Sequence, residues 1–222
     1  MKRRVVAIIQ ARLGSRRFPR KSVTRFRGRP MIEHVIGRVQ QMKGVDDIVV
    51  TVPTSDADLI RVVHKLNDTQ DITLKTTRLV YGPENDVLWR YWLAATAYQA
   101  DVVIRITGDC PLWSPRAGED ALQAFLDDPQ ERRYWSNDTT QSGWPDGTDV
   151  EVFSMDLLSR ARHARVSLSD EDREHVTPWM KRTLYPDLGM VRRKVDHLSS
   201  LKLSVDTRSD LLALERLDAI NL

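Results

Sequence analysis

Val5-Val6-Ala7-Ile8-Ile9-Gln10-Ala11-Arg12-Leu13-Gly14-Ser15-Arg16-Arg17-Phe18-Pro19-Arg20-Lys21 is the stretch on which the fold turns. Its first five residues are apolar and mostly β-branched, the composition of a strand buried on both faces of a parallel sheet. The character then changes abruptly. Gly14, Ser15 and Pro19 interrupt regular structure, while Arg12, Arg16, Arg17, Arg20 and Lys21 crowd cations into the loop. A buried strand emptying into such a loop is what a polyphosphate at the C-terminal edge of a sheet requires. Gly lets the backbone approach, Ser offers a hydroxyl, and Arg and Lys neutralise charge. The plainer alternative is a solvated charged loop.

Downstream, the pattern alternates. Met31–Met42 carries apolar residues at helical spacing, and Asp47–Val52 is a second apolar strand. Ser55-Asp56 resembles a cap for a helix running through Leu66, and Ile72–Leu74 is a short strand candidate. Gly82-Pro83-Glu84-Asn85-Asp86 turns into a helix reaching about Tyr98, whose Trp89, Trp92 and Leu93 are spaced for core packing. Asp101–Ile106 is another buried strand, ending in Thr107-Gly108-Asp109-Cys110-Pro111-Leu112. Strand followed by helix, repeated, predicts right-handed βαβ units and a mainly parallel sheet, an α/β fold.

An Asp at a Gly turn just past a buried strand stands where a carboxylate reaches a metal-bound triphosphate, although turns also use Asp for their own amides. Helices are expected at Pro115–Leu126, from Ser154 to about Ala164, from Ser169 through Trp179 and at Ser209–Ala219. Strands are expected at Tyr134–Ser136, Asp149–Phe153 and Lys202–Val205. Asp149 and Glu151 alternate with Val150 and Val152, so the period of two puts both acids on one face, either solvated or facing a ligand. His175, alone on an amphipathic helix, fits a structural or surface position.

Composition narrows the class. The chain has 222 residues, 41% hydrophobic and 29% charged, enough for one large soluble domain. Residues 1–29 hold eleven Lys/Arg and no Asp/Glu, leaving 23 of the 34 basic residues against 31 acidic ones, a net of −8. Positive charge is therefore one local patch, whereas a nucleic-acid binder spreads its cations along a face. Cys110 is the only cysteine, which excludes an internal disulfide and a Cys-rich zinc site and suits the reducing cytoplasm. No run reaches membrane-spanning length. The Walker loop and the Gly-x-Gly-x-x-Gly fingerprint are both missing, which disfavours a P-loop kinase and a dinucleotide oxidoreductase.

Ala11-Arg12-x-x-Ser15-x-Arg17-x-Pro19-x-Lys21 resembles the opening signature of the sugar cytidylyltransferases, including the Kdo and acylneuraminate enzymes and the branch linked to spore-coat polysaccharide biosynthesis. Phe18 and Arg20 stand where that signature has Leu and Gly. Further likenesses are Gly82-x-x-x-Asp86-Val87, Gly108-Asp109-Cys110-Pro111-Leu112, Pro145-Asp146-Gly147-x-Asp149-Val150-Glu151-Val152, Arg173-Glu174-His175-Val176-Thr177-Pro178 and Val205-Asp206-Thr207-x-x-Asp210-Leu211. The resemblance implies a single domain over residues 1–222, a three-layer sandwich with a mixed, mostly parallel sheet and a Rossmann-like nucleotidyltransferase fold related to GT-A.

It further implies transfer of CMP from CTP to a sugar hydroxyl, the sugar acidic or modified, with release of pyrophosphate. Arg12, Lys21 and Asp109 would be catalytic. Ala11, Arg12, Gly14, Ser15, Arg17, Lys21, Gly82, Asp86 and Asp109 would hold the nucleotide, and Asp146, Asp149, Glu151 and His175 the acceptor. Asp109 and Asp206 would hold Mg²⁺, each following one of two parallel neighbouring strands. Arg16 and Arg20, outside the shared pattern, should matter less. The implied partners are CTP, a small acceptor and a second copy of the chain in a homodimer, with no nucleic acid and no membrane. A non-sugar acceptor such as a phosphonate, a GT-A-like glycosyltransferase and a non-catalytic homologue are the alternatives.

Overall fold

The computed structural model describes residues 2–69, 76–164 and 168–217. The opening run forms β1 (Val5–Gln10), followed by a single 3-10 turn at Lys21–Val23 and a small antiparallel hairpin, β2 (Arg25–Phe26) and β3 (Arg29–Pro30). Then come α1 (Met31–Gln41), β4 (Asp47–Pro53), α2 (Ala57–Thr69), β5 (Thr77–Gly82), α3 (Val87–Ala97), β6 (Val102–Thr107) and α4 (Pro115–Asp127). The second half holds β7 (Tyr134–Ser136), β8 (Glu151–Ser154), α5 (Met155–Arg162), α6 (Asp170–His175), α7 (Pro178–Leu184), β9 (Gly189–Met190) and α8 (Arg208–Glu215). Ile72–Leu74 lies outside the described residues, and so does the far end of the helix expected to reach Ala219; the strand observed nearest the first is β5.

Among the described residues the main sheet has seven strands in the order β5-β4-β1-β6-β8-β7-β9. The first four are parallel, β8 runs antiparallel to both β6 and β7, and β9 is parallel to β7. The alternation of β1 divides its side chains between two apolar layers. Val5, Ala7 and Ile9 pack under α1, α2 and α4, while Val6 and Ile8 pack with α3, α5 and α7 on the other face. This is the three-layer, mostly parallel α/β sandwich that the sequence implied. Trp92 packs against the second layer, and the Arg162 guanidinium lies 4.0 Å over the Trp89 ring.

Three local expectations are corrected. Residues 202–205 form no strand of the sheet; they make an isolated parallel bridge, Lys202 to Asp146, and Leu203 and Val205 tuck into a third apolar cluster with Phe26, Met31, Leu112, Leu211 and Leu214. Two apolar residues, Leu203 and Val205, on either side of Ser204 are too few to distinguish a sheet strand from an extended segment that buries its side chains elsewhere. The helix predicted through Trp179 breaks into α6 and α7 around Val176. The predicted 149–153 strand begins at Glu151, and its acids do not share an open face, because β8 lies inside the sheet with Glu151 only 6% exposed.

Candidate active site

β1 and β6, parallel neighbours, present their C-terminal ends to one cleft of about 720 Å³. β1 runs out into the basic loop, which the fold ties down. The Leu13 amide donates to the Asp56 carboxylate at 2.7 Å, Ser22 Oγ donates to the Arg12 carbonyl at 3.1 Å, and the Arg20 amide donates to the Leu13 carbonyl at 2.9 Å. Asp56 is thus a tether of this loop. Arg20 holds φ 62°, the left-handed conformation that Gly adopts freely, at the position where the signature has Gly. Its side chain turns away to Asp58, so it stays out of the cleft.

β6 delivers the opposite charge. Gly108 donates its amide to the Gln10 carbonyl at 2.9 Å, and a Cβ there would stand 2.7 Å from that same oxygen, so only Gly brings the two strand ends this close. The next residue, Asp109, receives Lys21 Nζ at 2.7 Å. Burial opposes ionisation of Asp109, but the Lys21 ammonium, helped by the Thr107 hydroxyl, holds its carboxyl below the usual carboxylate range. Cys110 is buried, and burial together with the Asp109 charge pushes its thiol well up, which leaves it a packing residue with no thiolate to offer.

Asp206 arrives by the C-terminal segment. The Leu203 amide donates to the Asp146 carbonyl at 2.7 Å and the Val205 amide to the Asp109 carbonyl at 2.9 Å, which lays this segment across the mouth of the site. Gly147, at φ 89°, lets it pass: a Cβ there would lie 2.4 Å from the Leu203 carbonyl carbon and the Ser204 nitrogen. Asp206 accepts Arg17 at 2.7 Å and stands 3.7 Å from Lys21 Nζ. It does not cap α8; Thr207 and Asp210 do so reciprocally.

Lys21 Nζ therefore meets the Asp109 carboxylate, the Val205 carbonyl at 2.9 Å and, further off, Asp206. An ammonium among hard oxygen donors occupies a cation position, so the donor set suits Mg²⁺. Among the described residues no group of three or more His, Cys, Asp or Glu is gathered for a metal, and two carboxylates are the number Mg²⁺ takes when phosphate oxygens complete its shell.

Of the residues singled out from sequence, Ala11, Arg12, Gly14, Ser15, Arg17, Lys21, Asp109, His175 and Asp206 line the cleft together. Gly82, Asp86, Asp146, Asp149 and Glu151 do not. Asp86 caps α3 through the Trp89 amide at 2.8 Å and pairs with Arg173, and Asp149 accepts the Thr139 hydroxyl and the Gly147 amide. Glu151 sits directly across from Arg105 in the β6–β8 register and binds it at 2.6 Å, also accepting Tyr134, Thr177 and Lys181. It reaches the cleft only through that arginine.

Sequence reasoning passed over Gln10, Arg90, Arg105, Thr107 and Glu174, and set Arg16 aside, yet all six line the cleft. Arg105 was findable: it is the one charged residue in an apolar strand, and a buried guanidinium demands a carboxylate nearby. Arg90 carried no such signal. It is 1% exposed, bonded to the Pro83 and Glu84 carbonyls and Thr51, and burial pulls its guanidinium down to about 10.

Residues 6–215 match the model of the cytidylyltransferase family. The chain belongs to that family of nucleotidyltransferases. It is 26% identical to the spore coat polysaccharide biosynthesis protein SpsF of Bacillus subtilis over 96% of this chain and 85% of that one. It is 36% identical to the 3-deoxy-manno-octulosonate cytidylyltransferase of Anaeromyxobacter dehalogenans, over 55% of this chain and only 48% of that enzyme. A cytidylyltransferase structure from Leptospira borgpetersenii superposes with a TM-score of 0.83 at 25% identity, covering 96% of this chain and 85% of the other. A CMP:2-keto-3-deoxy-manno-octonic acid synthetase complexed with CTP shares the fold at a TM-score of 0.71 and 19% identity, over 96% and 97% of the two chains.

Proposed function

We propose that this cytidylyltransferase moves CMP from CTP to a sugar hydroxyl and releases pyrophosphate, with Mg²⁺ held by Asp109 and Asp206. The observation that carries the reading is the convergence of one basic loop and two acids on Lys21 in a single cleft, an arrangement of both charge signs suited to a metal-bound triphosphate. The named activities of the relatives, polysaccharide biosynthesis and CMP transfer to 3-deoxy-manno-octulosonate, support a sugar as acceptor.

In the proposed reaction the acceptor oxygen attacks the α-phosphorus in line, and the bond from the α-phosphorus to the bridging β-phosphate oxygen breaks. Pyrophosphate carries away that electron pair, and the hydroxyl proton is released to water as the ester forms. Arg12, Arg17 and Lys21 neutralise the triphosphate and Ser15 hydrogen-bonds it, so the chain supplies positioning and charge compensation and no nucleophile. The metal, when bound, offsets charge on the leaving pyrophosphate. Pyrophosphate release, measured with each of four nucleoside triphosphates against acidic and neutral sugars, with and without Mg²⁺, tests this. Release with CTP and a sugar, abolished by chelator, is expected; release with another nucleotide in preference to CTP overturns the donor assignment.

A further inference from the structure

The turn after α6 is a strained piece of backbone beside the cleft. Val176, β-branched and fully buried, sits at φ 71° and ψ −50°, and the Thr177 amide donates to the His175 carbonyl at 2.8 Å. That is a γ-turn of the rare positive-φ form, which a β-branched residue adopts only where its surroundings force it. Two side-chain contacts flank it. Thr177 Oγ1 donates to the buried Glu151 carboxylate at 2.9 Å, which anchors the downstream side. Upstream, Glu174 accepts the Arg12 guanidinium, and among the described residues Arg12 makes no other ion pair.

These two contacts are unequal. Glu151 is a buried hub with several donors, whereas the Arg12 and Glu174 side chains are 32% and 43% exposed, so their pair is weak and readily exchanged. Arg12 also belongs to the loop assigned above to the triphosphate, alongside Arg16, Arg17 and Lys21. One carboxylate competing for Arg12 against a polyanion loses on charge alone.

We propose that Glu174 is a displaceable internal anion: its carboxylate, set beside Arg12 by the strained turn at Val176, takes the triphosphate's place in the free protein and is exchanged out when nucleotide binds. The exchange frees the Glu174–His175 wall of the cleft from the basic loop once the nucleotide is seated. Glu174 thereby sets nucleotide affinity without touching the nucleotide. The inference rests on Arg12 being a triphosphate ligand.

Isothermal titration of the full chain with inorganic tripolyphosphate and with Mg–CTP tests it, comparing the native protein, Glu174→Gln and, as a control on the outer face of α6, Glu171→Gln. Removing the competitor should tighten both ligands by about two- to five-fold, the range of an exposed ion pair, with Glu171→Gln unchanged. Hydrogen exchange supplies the second measurement. Amides 174–177 should exchange faster when ligand binds the native protein, and already exchange fast in unliganded Glu174→Gln. Unchanged or weaker binding by Glu174→Gln, or no tripolyphosphate binding to either protein, overturns the proposal. Equal binding of all four nucleotides alongside a tighter Glu174→Gln would remove the CTP assignment and leave the exchange standing.

Discussion

Asp206 and Asp210 sit four residues apart at the start of one helix, and the structure gives them separate duties that mutation can separate. Asp210 accepts the Asp206 and Thr207 amides at 2.9 and 2.8 Å and the Thr207 hydroxyl at 3.0 Å, completing the capping box, and pairs with Lys202 at 3.0 Å. The Asp206 side chain takes no part in that cap; it faces Arg17 and Lys21, with Lys202 3.4 Å away on its other oxygen. Asp210→Ala should cost about 1 kcal/mol for the lost cap, which lowers Tm by roughly 2–4 °C in a chain of this size. Its Mg²⁺ dependence should be native. Asp206→Asn should do the reverse. Its ion pairs are partly exposed and each contributes below about 1 kcal/mol, so Tm barely moves. Losing a charge-assisted contact to the reacting complex is worth about 1.5–3 kcal/mol, a fall of roughly 10- to 150-fold in turnover, with Mg²⁺ required at higher concentration. Calorimetric melting and Mg²⁺ titration of pyrophosphate release on both variants decide the matter. Native Mg²⁺ dependence in an active Asp206→Asn protein would refute the two-carboxylate site, and a Tm loss larger than that of Asp210→Ala would mean Asp206 is the structural acid after all.

Arg12→Ala and Lys21→Ala should each cut turnover by roughly 10- to 150-fold, and native kinetics in both would reduce the loop to a solvated surface. Arg12→Ala should keep a nearly native Tm, whereas Lys21→Ala should lower it, because losing that 13% exposed side chain leaves the Asp109 carboxylate unpaired. CTP with Mg²⁺ should raise Tm more than UTP, GTP or ATP, measured by thermal shift at equal concentrations, because ligand stabilisation follows affinity. Burial opposes ionisation of Glu151, but Arg105 and Lys181 bring its carboxyl down from 4.5 to about 2. With the folded value below the unfolded one, its contribution is complete above about pH 4.5 and fades as pH falls towards 2; acid titration of stability should therefore be steeper over that window for the native protein than for Glu151→Gln. Gly147→Ala should destabilise by about 1–3 kcal/mol and weaken Mg²⁺ dependence as well, because a Cβ at φ 89° meets the backbone that carries Asp206 to the site; a native melting curve would contradict the close crossing.

What the sequence determined by itself was local and periodic. The apolar run at Val5–Ile9, its counterparts at β4 and β6 and the helical spacing between them specify a parallel α/β sheet, because strand and helix periods are written in neighbouring residues. The loop from Arg12 to Lys21 and the Gly108-Asp109 turn were legible for the same reason: breakers and charges abut a buried strand. Asp206 does line the cleft, but the strand expected to bring it there is absent from the sheet; the tertiary structure carries it over Gly147 and through the cluster around Leu203 and Val205. The partners of Glu151 and Glu174 were also decided only in three dimensions. Arg105 faces Glu151 through the register of an antiparallel pair 46 residues apart, and Arg12 meets Glu174 across 162 residues, distances over which no periodicity carries information. Which acid binds a ligand, which caps a helix and which neutralises a buried arginine depends on the cation that folding brings beside it, and that is a property of the packed chain.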